Sequence, residues 1–122
     1  MITCAPGSED GAEYLISNGN CYVYVSKAGE YTIEGWTTNE SDYAYIKIDP
    51  AVQGEVVIRL KNVHLKTRTN AVQWNRDQYA SGSGSRTLRL VFEEAEIEAG
   101  NFCYCVTMDD KKGADNVLTI DG

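Results

Sequence analysis

The residues best equipped for chemistry in this chain are aromatic rings set beside polar turns, carboxylates at turns, and arginines in alternating apolar stretches. Two Trp, eight Tyr and two Phe are present. A flat ring can stack on a sugar face while polar neighbours bond the hydroxyls. Trp36, Tyr43, Tyr45 and Tyr79 are the candidates for that role. Tyr43 and Tyr45 share strand parity opposite Ile46 and Ile48, which places them outside, and Trp36 follows a glycine at a strand end. Trp74 shares parity with Val72 and reads as core. Arg59 and Arg89 complete the candidate ligand-binding set: one repeat apart, they could stack into a basic stripe that suits a carboxylated polysaccharide through charge-assisted bonds. Rings that merely cover strand surfaces, and isolated surface arginines, are the competing reading.

Hard oxygen ligands for calcium are usually supplied at turns, and Asp42, Asp49, Asp109 and Asp110 stand there as candidate metal ligands. None belongs to a recognised calcium loop, and Asp109-Asp110 before Lys111-Lys112-Gly113 equally suits a solvated turn. No catalytic constellation emerges. The single histidine, His64, lies between Val63 and Leu65 without an evident partner, and no Gly-x-Ser-x-Gly elbow occurs, so the chain is expected not to be an enzyme. Four cysteines suggest an oxidising setting with Cys4–Cys21 as the preferred disulfide; for Cys103 and Cys105, one residue apart, free buried thiols are an equal alternative.

These side chains must be positioned by strands. In Val56 to Leu65, the apolar residues Ile58, Leu60, Val63 and Leu65 return thirty-two positions later as Leu90, Phe92, Ala95 and Ile97. In each copy a polar pair, Lys61-Asn62 or Glu93-Glu94, interrupts two short alternations, which reads as strand, bend, strand. A unit of that size cannot bury its own apolar face and must stack on its neighbour. Cys21, Val23 and Val25 alternate with Tyr22 and Tyr24, and Ile46 and Ile48 with Lys47 and Asp49, as further strands. Ile33 is aligned with Ile58, and Asn39, Asn70 and Asn101 recur every thirty-one residues as a possible asparagine ladder. The expected fold is all-β, a short right-handed parallel β-helix of about three to four rungs, with a β-sandwich as the alternative. Residues 1–19 read as an irregular cap or linker and 20–122 as one module cut from a longer protein, while the polar segment Asn75 to Arg86 reads as the longest loop.

Composition limits the partners. With 122 residues and 43% hydrophobic content, the chain can build one core. A net charge of -7 repels phosphate backbones and anionic membranes, so neither nucleic acid nor membrane insertion is expected. The opening residues lack the features of a signal peptide, so an export signal is expected upstream or already removed.

The stretches Gly29 to Gly35, Ile46 to Ile48, Val56 to Val63 and Asn116 to Gly122 resemble bacterial carbohydrate-binding domains of the right-handed parallel β-helix type. The resemblance implies an extracellular or cell-surface module that binds acidic, polygalacturonate-like polysaccharide with calcium held by acidic side chains. Two alternatives accompany it. One is a structural or adhesion segment of a surface protein, whose partners are neighbouring domains. The other is an enzyme like a polysaccharide lyase, for which the chain is short.

Overall fold

The computed structural model describes residues 8, 9, 11–75, 85–108 and 116–122. Among them the chain is all-β, with twelve strands and no helix. In order these are β1 (Ser8–Glu9), β2 (Ala12–Ser17), β3 (Asn20–Val25), β4 (Gly29–Glu34), β5 (Tyr43–Ile48), β6 (Gly54–Lys61), β7 (His64–Lys66), β8 (Val72–Gln73), β9 (Arg86–Glu93), β10 (Glu96–Glu98), β11 (Val106–Thr107) and β12 (Asn116–Asp121). They form three sheets, β1-β2-β3-β5-β8-β11, β4-β6-β9-β12 and β7-β10. From β3 onward every pairing is parallel, which is not the antiparallel pairing a β-sandwich requires. Parallel neighbours cannot be joined by tight hairpins, so the chain leaves each sheet and visits the others before returning.

The thirty-two-residue echo in the sequence is the pairing register itself. Ile58 lies beside Leu90 and Leu60 beside Phe92 in one sheet, and Leu65 beside Ile97 in another. Alternation then sorts the side chains: Cys21, Val23, Val25, Ile46, Ile48, Ile58, Leu60, Val63 and Leu65 are all buried, as the parity predicts. Each fully buried Ile or Leu contributes about 1.5–3 kcal/mol relative to exposure. Trp74 is buried as expected.

The bend has a conformational cause. Gly35, Asn62 and Glu94 occupy equivalent positions, one after the ends of paired strands, and carry φ of 73°, 50° and 52°. Gly35 N–H donates to Lys61 O, and Asn62 N–H to Glu93 O, so the left-handed residue turns the chain while the ladder continues. The polar pairs seen in the sequence mark this corner.

Four expectations need correction. Ile33 pairs with Leu60, not Ile58, because the first interval in this sheet is twenty-seven residues (Ile33 to Leu60). Residues 11–19 are not irregular: β2 pairs antiparallel with all of β3 through a two-residue turn, Asn18-Gly19, with φ of 50° and 80°. That is the twist-compatible geometry Asn-Gly favours. The asparagines are not equivalent, because the register sets Thr37 and Glu96 beside His64, leaving Asn39 level with Lys66 and Glu98. Asn39 accepts from Ser41 N–H inside its own turn, while Asn70 Oδ1 accepts from Tyr104 N–H. Arg86 belongs to β9 rather than a loop. It is buried with its guanidinium 5.1 Å from the Trp74 ring, donating to Trp74 O at 2.7 Å and Asn116 Oδ1 at 3.1 Å.

Candidate functional site

Three successive turns meet beside the first residue of β5. The Asn39–Asp42 turn closes twice, Asp42 N–H donating to Asn39 O at 2.9 Å and Asn39 N–H to Asp42 Oδ2 at 2.9 Å. The segment after β7 lies between this turn and the next. Arg68 N–H donates to Asp42 O at 2.9 Å, and Thr67 N–H to Glu98 O at 3.1 Å. Thr67 is buried, and its hydroxyl fastens the layers by donating to Asp42 O and accepting from Ala44 N–H and Thr69 N–H. On the far side, Gly100 N–H donates to Thr69 O. Glycine is required there by close approach: a Cβ would stand 2.5 Å from Arg68 O.

The turns enclose a polar cavity of about 570 Å³, with Glu40 and Ser41 on one wall, Thr67 and Arg68 in the middle, and Glu98 to Asn101 on the other. At its edge the Arg68 guanidinium lies 4.7 Å from the Tyr43 ring centre, and Tyr43 is 46% exposed. Stacking uses the flat face of a guanidinium and leaves its in-plane N–H donors for another group. Among the described residues Arg68 has no carboxylate partner. Next to Asn101, Phe102 is fully exposed at φ 62°, in a turn closed by Cys103 N–H to Gly100 O. A bulky residue in the left-handed region is an outlier, and such strain tends to persist at functional positions.

The predicted site residues separate under this geometry. Tyr43 does not line the cavity itself but meets one of its lining residues, Arg68. Tyr45 is half-buried outside β5, stacked on Tyr22 with centres 4.9 Å apart and planes 7° from parallel. Burial pushes its phenol up, against a hydrogen bond with Asn20 that pulls it down. Trp36 is overturned as a sugar platform: it is completely buried under the edge of Tyr14, because the left-handed Gly35 turns the chain and sends Trp36 inward. The basic stripe is not formed. The register sets Arg59 beside Val91 and Arg89 beside Val57, two residues out of line, and each is occupied, Arg59 by Glu30 and Arg89 by Asp121, both at 2.6 Å. Tyr79, Asp109 and Asp110 lie outside the described residues.

The carboxylates of Asp42 and Asp49 do not fit a shared calcium site. They flank the two ends of β5, roughly 20 Å apart along the strand. Each is engaged locally, Asp42 by its own turn and Asp49 by the Tyr24 hydroxyl and Ala51 N–H. Those two donors, the Tyr24 hydroxyl first, hold Asp49 below the usual carboxylate range, and the same bond pushes Tyr24 up to about 12. Among the described residues no group of three His, Cys, Asp or Glu could hold a metal. Cys21 is a buried free thiol, and Cys4, its preferred partner, lies outside the described residues; burial raises the pKa of Cys21 and keeps it protonated. Cys103 and Cys105 are also free, but Cys103 is only half-buried and Cys105 is exposed.

Arg68, Glu40, Glu98 and Phe102 were not singled out by sequence. Arg68 follows β7 in an ordinary polar run, and nothing local announces that its neighbours in space are Tyr43 and Gly100. No family model matches the chain, and neither a curated protein nor a solved structure matches it.

Proposed function

We propose that this protein is a non-catalytic, extracellular polysaccharide-binding module built as a short right-handed parallel β-helix, with the Tyr43–Arg68 cavity as its glycan site. Support for the coil comes from one apolar column, Tyr31, Ile58, Leu90 and Ile120, in which the chain passes through the same sheet four times. Right-handed crossover is the rule for parallel connections within a sheet. The observation that carries the functional reading is the Arg68 guanidinium stacked on Tyr43 at the mouth of a polar cavity. Its in-plane donors suit a uronate carboxylate, Glu40 and Glu98 can accept from sugar hydroxyls, and Phe102, next in the chain to the lining Asn101, offers an exposed apolar face. Acidic glycan is therefore the preferred ligand.

Calorimetric titration with polygalacturonate and with a neutral glucan, each in calcium and in chelator, tests this. Binding to the acidic polymer should weaken at least about tenfold in Arg68→Ala and in Tyr43→Ala, equivalent to about 1.4 kcal/mol. Silence with both polymers would reject the module. It would leave the second reading, a structural or adhesion segment, which the exposed Val117, Leu118 and Ile120 of β12 favour.

A further inference from the structure

β12 is the last strand of its sheet among the described residues, and its outer edge is unpaired. Its inward positions continue two buried columns: Leu118 lies beside Leu88 and Ile120 beside Leu90, both completely buried. Yet Leu118 is 43% and Ile120 60% exposed, because among the described residues no strand lies on their other side. An open edge with this pattern is a template for another strand.

We infer that β12 pairs antiparallel with β12 of a second copy, closing both edges in a two-fold dimer. The molecule already closes one end of a parallel stack antiparallel, where β2 lies on β3. β12 is also self-complementary. With Thr119 opposite the partner's Thr119, inward residues meet inward residues: Leu118 faces the partner's Ile120, and Val117 faces the partner's Asp121. No like charges are opposed, since Asp121 is the strand's one charged residue and already holds Arg89 at 2.6 Å. An isologous pairing of this kind closes on itself. The net charge of -7 on each copy opposes association, so salt strengthens it.

Sedimentation equilibrium of the full chain at low and high salt reads the mass directly. A two-chain mass, favoured by high salt, is expected. Val117 is exposed and faces outward, so substitutions there spare the core. Val117→Glu, set against the partner's Asp121, should weaken the dimer about fivefold, since two cross-strand pairs change at about 0.5 kcal/mol each. Val117→Lys should leave it unchanged or tighter. In a background with the natural cysteines replaced by serine, Thr119→Cys should form a covalent dimer faster than Val117→Cys. A monomer mass throughout, open-ended assemblies, equal effects of Val117→Glu and Val117→Lys, or faster cross-linking at 117 would each overturn the pairing.

Discussion

The left-handed corner residues show how much one dihedral asks of a side chain. Gly35, Asn62 and Glu94 hold the same conformation, but only the first two are types that visit it readily. Glu94→Gly should therefore stabilise the protein by about 0.5–1 kcal/mol in urea unfolding, while Gly35→Ala should cost about 1 kcal/mol although no atom lies within 4 Å of its Cβ position. Phe102 makes the sharper test, because its strain and its exposure coincide. Phe102→Gly is expected to raise stability by about 1 kcal/mol and to weaken glycan binding in the same preparation. The Tyr24–Asp49 bond acts in two pH windows. Asp49 is held low in the fold, so its contribution is present above the unfolded carboxylate pKa and is lost as pH falls through the folded value. Tyr24 is raised to about 12, so its contribution is complete below the ordinary phenol value and is lost as pH climbs toward 12. The stability difference between the wild type and Tyr24→Phe, measured by urea unfolding across pH, should be flat near neutrality and shrink at both extremes.

At the scale of elements, the short strands are held in register by buried threonines. The Thr38 hydroxyl exchanges hydrogen bonds with the backbone of Lys66, and the Thr67 hydroxyl joins Asp42, Ala44 and Thr69. β7 has only three residues and β8 only two, so these side chains supply connections that a longer ladder would make by itself. Thr67→Val keeps the volume but strands the N–H of Ala44, and should cost about 2–3 kcal/mol in denaturant unfolding. It should also weaken binding at the cavity, because Thr67 fixes the turn from which Arg68 projects. Elements with long, regular alternation are plain in the sequence: β3, β5 and β6 bury the residues their parity assigns, and β9 buries Leu88 and Leu90 but leaves Phe92 only partly covered. β2 is not, because its burial alternates incompletely; the Asn18-Gly19 dipeptide is the signal that could find it.

For the whole molecule, charge is arranged as pairs across neighbouring strands. Glu30 with Arg59, Lys66 with Glu96 and Glu98, and Arg89 with Asp121 lie on outer faces, where such pairs are screened and stabilise little. Arg59→Ala and Arg89→Ala should consequently leave both the glycan affinity and the melting temperature almost unchanged, in contrast to Arg68→Ala. Calorimetric titration and thermal melting of the three variants side by side make that comparison.

Periodicity along the chain is enough to establish that it is all-β, which residues of its regular strands alternate into the core, and that one copy of a strand-bend-strand unit lies thirty-two residues from the next. Those properties follow from periodicity, a local quantity that burial enforces residue by residue. It does not fix the shorter interval between β4 and β6, which sets Ile33 beside Leu60 rather than Ile58, nor which of Arg59, Arg68 and Arg89 lacks a carboxylate partner among the described residues. Arg59, Arg68 and Arg89 are the same residue type in similar polar surroundings along the chain. Only the pairing of strands from distant parts of the chain decides that two meet carboxylates while the third meets an aromatic ring beside a cavity. A contact between residues some twenty-five positions apart, such as Tyr43 and Arg68, depends on loop lengths and on the left-handed corners after β4, β6 and β9, and one-dimensional spacing does not carry that information.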